Sequence, residues 1–207
     1  MKVVISGPQA LNGTVAVSGA KNSATRVLAA ALLSSGQITL RNFPLLLEDV
    51  KAKIKFMRMM GACIEENFAS SEIELSASSI STDKIVDFDL PIRTTYLLAA
   101  GALAHNKKVK IPYPGGCKIG SRGYDLHLMV WKQLGCKVEE WPEYILVEGE
   151  LTGGVVDFPI STVGGTENAL MCAAVAKGET LIRNAYITPE VSDLILFLRE
   201  MGANIVQ

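Results

Sequence analysis

The sequence predicts an α/β (α+β) domain of three β-α-β-α-β-β repeats with pseudo-threefold symmetry, the third repeat incomplete. Three observations predict it. Laid against itself, the chain shows three related segments at a period of roughly seventy residues: "LAAALLSSGQITLRN" onward from Leu28, "LAAGALAHNKKVKIPY" onward from Leu98 and "MCAAVAKGETLIRN" onward from Met171. In each segment a run of small residues gives way to a short run that alternates apolar and polar residues. Each then carries a second run with apolar residues at three and four spacing that stops at a glycine. Such a unit cannot bury both its helices and its sheet alone, so three copies are expected to pack as an inside-out α/β barrel with the Ala-rich helices at its centre.

The repeats are placed at about 14–78, 84–149 and 155–207. Each opens with an alternating strand, "TVAVSG" (14–19), "KIVDFDL" (84–90) and "VVDFPIS" (155–161). The Ala-rich runs that follow favour helices packed closely on their neighbours, broken at Gly36, Asn106 and Gly178. Strands follow in "QITLRN" (37–42), "KVKIPY" (108–113) and "ETLIRN" (179–184). The second helices carry apolar residues such as Ile54, Phe56 and Met57, or Leu194, Phe197 and Leu198. Gly61, Gly135 and Gly202 read as their C-caps. Lys51, Lys53, Lys55 and Arg58 make the second helix of the first unit the water-facing one. Beyond the caps, "ACIEE" and "CKVEE" begin strands, and "SEIELSA" and "YILVEGE" close the first two units. The third unit stops at Gln207, five residues after Gly202, which leaves it without a closing strand. Residues 1–13, with "MKVVISG", fall outside the repeats and are expected either to fill the missing strand position of the third unit or to form a strand belonging with an absent second domain, leaving 14–207 as the domain proper.

A composition of 49% hydrophobic residues over 207 positions supports a soluble globular chain with a sizeable core. The formal charge of −1, from 20 basic and 21 acidic residues dispersed along the chain, removes the usual electrostatic reason for a nucleic-acid or anionic-membrane partner. Apolar stretches such as "VLAAALL" (27–33) fall far short of the about 18–20 residues of a membrane span, and no cleavable signal pattern opens the chain. A cytoplasmic enzyme or binding domain is therefore expected. The four cysteines form no CxxC pair and there are two histidines, so zinc-type spacing is absent and no metal site is expected. Cys63, Cys136 and Cys172 have apolar or small neighbours and read as core residues. Cys117 alone sits in a glycine-rich loop.

Three stretches stand at equivalent positions in the repeats: "SGAKNSATR" (18–26), "LPIRTTY" (90–96) and "STVGGTEN" (161–168). Each puts polar groups at the start of a small-residue helix, where free N–H groups favour anions, and Lys21, Arg26 and Arg93 add cations. The plainer reading is N-capping by Ser23, Thr94 or Thr166. Convergence of three such stretches favours a shared anion site. In the second unit the longer loop "PYPGGCKIGSRGYDLH" (112–127) carries Gly115, Gly116 and Gly120 for close backbone approach. Lys118 and Arg122 flank Cys117, which favours its thiolate, while the protonated thiol in a closed site can act as a general acid. His127 falls on the second helix and orients the loop, contacts a ligand or serves the cysteine as base.

"SGAKNSA", "PGGCKIGSRGYDLH" with its "QLGC", "STVGGTENALM" and "TPEVSDLILFLREMGA", in this order and spacing, resemble the enolpyruvyl transferases over nearly the whole chain. The resemblance is to the Cys-loop domain of the members that act on UDP-N-acetylglucosamine. It implies a protein of two similar domains, each of three such units. It implies transfer of an enolpyruvyl group from phosphoenolpyruvate to the 3′-hydroxyl of UDP-N-acetylglucosamine in cytoplasmic peptidoglycan precursor synthesis, with no metal or organic cofactor. By the same resemblance Cys117 is the loop cysteine that protonates or captures phosphoenolpyruvate and that fosfomycin alkylates. Lys21, Arg93 and Arg122 hold its phosphate and carboxylate, and Asn22 contacts the sugar. Arg122, Asp125, His127, Thr162, Val163 and Gly164 bracket the uridine diphosphate. Three departures stand out. The run Arg122-Gly123-Tyr124-Asp125-Leu126-His127 has Gly123 in place of a proline and gains the ring of Tyr124. Ile160 replaces a lysine, and Arg26, five after Lys21, resembles the arrangement in the shikimate-phosphate branch. These departures keep two alternatives open: a paralogue with another nucleotide acceptor, and a non-catalytic nucleotide-binding domain.

Overall fold

The computed structural model describes residues 2–8, 10–81, 94–113 and 123–207. The expected strand at 84–90 lies outside them. In chain order the elements are α1 (Lys21–Ala31), β1 (Gln37–Leu40), α2 (Glu48–Met59), β2 (Cys63–Asn67), β3 (Glu72–Ser76), a 3₁₀ turn (Thr94–Leu97) running into α3 (Leu98–Asn106), β4 (Lys108–Pro112), α4 (Asp125–Gln133), β5 (Lys137–Glu140), β6 (Tyr144–Glu148), β7 (Val155–Asp157), α5 (Val163–Val175), β8 (Leu181–Arg183) and α6 (Pro189–Glu200).

The strands form small sheets of matching order: β1-β3-β2 and β4-β6-β5, both antiparallel, and the parallel pair β7-β8. Register follows the hydrophobic alternation. Ile38 and Ile64 both pair with Leu75, and Val109 and Val138 both pair with Val147, so one face of each sheet is a row of branched side chains turned toward the core. The strand expected at 179–184 is shorter than its sequence pattern, beginning only at Leu181, and that expected at 155–161 ends at Asp157.

Helices α1, α3 and α5 are the buried ones. α1 packs on α3 and α3 on α5, while α2 and α6 lie against α1, and α4 and α6 against α5. Their small residues are what allow this approach. A Cβ added to Gly101 of α3 would stand 2.5 Å from the Leu32 Cβ just past α1, well inside van der Waals contact. Gly101→Ala is therefore expected to destabilise by about 1–3 kcal/mol through overpacking, as read by urea unfolding.

All three second helices end in one motif. Gly61, Gly135 and Gly202 have φ of 101°, 90° and 100°, the left-handed region that glycine enters without a Cβ clash. The residue after each glycine donates its N–H back into the helix: Ala62 to the Met57 carbonyl, Cys136 to that of Trp131, Ala203 to that of Leu198.

The structure corrects four expectations. Residues 14–19 form no strand: Val15 and Val17 are 85% and 91% exposed, because an alternating pattern makes a strand only where another edge pairs with it. Lys53 does not face water; it is fully buried on the inner side of α2. Cys63 is exposed on β2, where alternation turns Ile64 inward and the cysteine out, whereas Cys136 and Cys172 are buried as expected. Neither Ser23, Thr94 nor Thr166 caps a helix: α1 starts after Ala20 without a side-chain cap, Thr94 opens the 3₁₀ turn, and α5 is capped by Thr162, whose Oγ accepts from the Gly165 N–H at 3.3 Å.

Candidate functional site

The start of α1 puts Lys21, Asn22 and Ser23 on one turn, and each reaches the N-terminal half of another helix. The Lys21 ammonium pairs with Asp49 Oδ2 of α2 at 3.1 Å. Asn22 Nδ2 donates to Glu190 Oε1 of α6 at 3.1 Å, and Ser23 Oγ donates to Asp193 Oδ2 at 2.5 Å. Backbone hydrogen bonding at the start of α6 is the main cause that holds the Glu190 carboxyl below its usual range. Three helix starts thus meet around Lys21 and Asn22, with exposed charges of both signs.

Behind this turn lies a buried charged group. Arg26 Nε donates to Glu167 Oε1 at 2.7 Å, with side chains 12% and 1% exposed, tying α1 to α5. Arg26 Nη1 also donates to Thr25 Oγ1 at 3.0 Å, and that hydroxyl donates to the Asn22 carbonyl at 3.0 Å. Lys53 Nζ comes up from α2 to donate to the Thr25 carbonyl at 2.8 Å. Burial, reinforced by the neighbouring Arg26 and partly offset by Glu167 and Asp49, pulls the Lys53 ammonium down from 10.5 to about 7. Burial pushes the Glu167 carboxyl up against the pull of Arg26.

A depressed lysine pKa has a definite consequence. Between about 7 and 10.5 the unfolded chain holds a proton on Lys53 that the folded chain has lost, so folding stability rises with pH over that range. At the upper end the buried Cys136 thiol, pushed up by burial to about 11, works the other way as unfolded thiols ionise from about 9. The melting temperature is therefore expected to climb between about pH 7 and 8.5 and to be flatter in Lys53→Met, as read by calorimetry across buffers.

A second cluster forms where α4 and α5 begin. Asp125 opens α4, and His127 lies two residues on, with its ring stacked on Tyr96 at 4.8 Å and 27°. Gly164 lies against that imidazole: a Cβ there would meet His127 Cε1 and Nε2 at 3.5 Å. Tyr124 donates to Glu140 Oε2 at 2.9 Å and packs on Tyr113 with ring centroids 5.4 Å apart; the hydrogen bond to Glu140 is the main reason its phenol is pushed up to about 12. An added Cβ at Gly123 would strike the Asp125 carboxylate, so a side chain there requires Asp125 to move.

The structure therefore brings together Asp125, His127 and the Thr162–Gly164 start of α5, and separately gathers the starts of α2 and α6 around Lys21 and Asn22. The Arg26–Glu167 pair is the bridge between them, since Glu167 is one turn along α5 from Val163. Cys117, Lys118, Arg122 and Arg93 lie outside the described residues. Asp49, Glu190, Asp193, Lys53 and Glu167 were missed as partners of the site. Two of them left a signal: Lys53 stands on the apolar stripe of Val50, Ile54 and Met57, and Glu167 interrupts a small-residue helix. Among the described residues, no helix is long and apolar enough to cross a membrane, and no group of three or more His, Cys, Asp or Glu is placed to hold a metal ion.

A family model described as EPSP synthase (3-phosphoshikimate 1-carboxyvinyltransferase) matches residues 5–207. Proteins named UDP-N-acetylglucosamine 1-carboxyvinyltransferase are similar over 99% of this chain. That of Symbiobacterium thermophilum is 39% identical with 47% of its length covered, and that of Acinetobacter guillouiae is 40% identical with 49% covered. The chain thus spans about half the length of the curated relatives it matches. Among solved structures, the enolpyruvyl transferase NikO from Streptomyces tendae superposes with a TM-score of 0.81 over 95% of this chain and 46% of its own, at 23% identity. EPSP synthase from Acinetobacter baumannii does so at 0.67 over 87% and 42%, at 18% identity. At such identities these two structures speak for a shared mixed α/β fold. By the match along residues 5–207 and by relatives 39–40% identical across it, this chain belongs to the EPSP synthase, or enolpyruvyl transferase, family.

Proposed function

We propose that this chain is the Cys-loop half of a UDP-N-acetylglucosamine 1-carboxyvinyltransferase acting in cytoplasmic peptidoglycan precursor synthesis. The observation that carries the reading is the 39–40% identity, over 99% of the chain, to proteins bearing that name. The site supports it: Lys21 and Asn22 stand exposed at a helix start, and Asp125 and His127 stand beside the start of α5. In this reading residues 14–207 form three β-α-β-α-β-β units arranged as an inside-out barrel, with units at about 14–78, 84–149 and 155–207. Residues 1–13 pair with a second enolpyruvyl transferase domain that completes the site.

Phosphoenolpyruvate brings a phosphate and a carboxylate, and Lys21, Arg93 and Arg122 meet them. Asn22 holds the sugar, while Arg122, Asp125, His127, Thr162, Val163 and Gly164 hold the uridine diphosphate. In the reaction the acceptor 3′-oxygen bonds to the enolpyruvyl carbon, the bond from that carbon to the phosphate oxygen breaks, the hydroxyl proton leaves and phosphate is released. Cys117 protonates phosphoenolpyruvate or captures its enolpyruvyl group, and is the thiol that fosfomycin alkylates. Charge that builds on the departing phosphate is what fixed cations stabilise. Lys21 must exchange Asp49 for the incoming anion to take part.

The replacement of proline by Gly123 and the ring of Tyr124 favour a second reading, in which a different nucleotide is the acceptor. Titration calorimetry of the chain with UDP-N-acetylglucosamine and with UMP, combined with mass spectrometry after fosfomycin treatment, tests both. Binding of UDP-N-acetylglucosamine with an adduct at Cys117 supports the first reading. Binding of UMP without the sugar nucleotide supports the second, and no binding with an unreactive Cys117 overturns both. Residues 1–207 alone are expected to bind without turning over.

A further inference from the structure

Lys53 is the one fully buried lysine among the described residues, and it sits directly beneath the turn that carries Lys21 and Asn22. Its ammonium donates to the Thr25 carbonyl at 2.8 Å, and it lies one helical turn from Asp49 on α2, at the spacing that makes side chains neighbours. Asp49 in turn holds Lys21 at 3.1 Å. Asp49 therefore holds the exposed ammonium at contact distance and stands one helical turn from the buried one. We propose that Lys53 is a positioning residue for Lys21: its charge competes with Lys21 for Asp49 and so sets how readily Lys21 leaves that carboxylate for an anionic ligand. This rests on the reading of Lys21 as the anion-binding group of the site.

The charged surroundings of Lys53 define the direction. From α1 it meets Arg26 and, through Asp49, Lys21; from α5, Glu167. α6 contributes Glu190 and Asp193, which are taken by Asn22 and Ser23. β2, the strand nearest α2, offers Glu66, whose carboxylate pairs with Arg58 at 2.8 Å, and the outward Glu65. Glu167, bonded to Arg26 through Oε1 at 2.7 Å, supports the Lys53 charge more strongly than Asp49 does, but it is buried, and Asp49 is the carboxylate of the two that also pairs with a surface ammonium. With Lys53 protonated, Asp49 is divided between two cations and Lys21 is held loosely. With Lys53 neutral, Asp49 belongs to Lys21 alone. The ordinary lysine range lies too high for this exchange, but the burial and the Arg26 charge that bring Lys53 down to about 7 put it within the neutral range. Retention of an anion at Lys21 is then strongest below that pH and weakens above it. The same buried ammonium adds positive potential under the site, which acts in the same direction.

The test uses this chain and needs no ligand. The carboxylate carbon of Asp49, assigned by the Asp49→Asn variant, is followed by carbon NMR from pH 5.5 to 9 in the wild type, Lys53→Met and Lys53→Arg, with circular dichroism to verify that each variant is folded. The expected result is a one-proton step near pH 7 in the wild type. Lys53→Arg, always charged, should stay at the low-pH position, and Lys53→Met at the high-pH position. A merely structural lysine would give no such split between the two variants. A wild type without the step, or the same step in Lys53→Met, overturns the proposal. Calorimetry with UDP-N-acetylglucosamine on the same samples judges the functional reading separately: if no variant binds it, that reading fails while the Asp49 titration still decides the role of Lys53.

Discussion

Glu167→Ala is expected to cost about 3–5 kcal/mol of folding stability, because it removes the carboxylate from a buried group that contains two cations. A loss of this size lowers the melting temperature of a chain this long by on the order of 10 °C. Glu167 is 1% exposed and bonded to Arg26 at 2.7 Å, and its charge also supports that of Lys53. Without it Arg26 and Lys53 repel one another inside the protein; Lys53 answers by losing its proton, but Arg26 keeps its charge at any accessible pH. Two further variants separate charge from shape. Glu167→Gln keeps an acceptor for the Arg26 N–H and is expected to lose about half as much. The combined Arg26→Leu, Lys53→Met, Glu167→Leu replacement removes all three charges and is expected to recover most of the loss, since buried ionic groups often stabilise no better than apolar ones of similar volume. Urea unfolding with an unchanged m-value reads all of these. An alanine variant within 1 kcal/mol of wild type would show that water reaches Arg26 freely.

That buried group also marks where the sequence stops being informative. Gly61, Gly135 and Gly202 were legible because a left-handed C-cap is a local requirement, met within six residues of chain. The strands 37–40, 108–112 and 181–183 were legible because period two is local as well. The segment 14–19 shows the same pattern and forms no strand, since pairing depends on an edge that pattern does not supply. Lys53 was read by its charge when its position on the stripe of Val50, Ile54 and Met57 was the better guide. Cys63 was read by its neighbours' chemistry when alternation on β2 already turned it outward. At the candidate site, Lys21, Asn22, Asp125 and His127 were picked out by the chemistry of their side chains. Their partners were not: Asn22 and Glu190 are 168 positions apart, Ser23 and Asp193 170, Arg26 and Glu167 141. Only the packing of α1 on α6 and the stacking of α1, α3 and α5 make them neighbours, and no local pattern encodes that.

Under the proposed function, Lys21→Met is expected to lower turnover, measured with the second domain present, by about 10²–10³-fold while leaving the fold almost untouched, which separates a site residue from a structural one. The stability side of the claim follows from exposure. Lys21 and Asp49 are 56% and 44% exposed, so their pair is screened by water and salt and adds little to folding. The catalytic side follows from placement. Lys21 is the first residue of α1, whose N-cap Ala20 offers no side-chain acceptor, so the ammonium and the uncapped first-turn N–H groups favour negative charge at the same place. An anion that gains charge as phosphate departs is stabilised more in the transition state than in the ground state, so the loss should fall mainly in kcat rather than in KM. Lys21→Arg keeps the charge but spreads it over a planar fork, and is expected to restore only part of the activity. Asp49→Asn tests the other partner: freed from its carboxylate, Lys21 should hold phosphoenolpyruvate more tightly and lower its KM, with no gain in kcat. A Lys21→Met enzyme that keeps most of its turnover would remove Lys21 from the chemistry, and with it the reason that Asp49 and Lys53 are placed behind it.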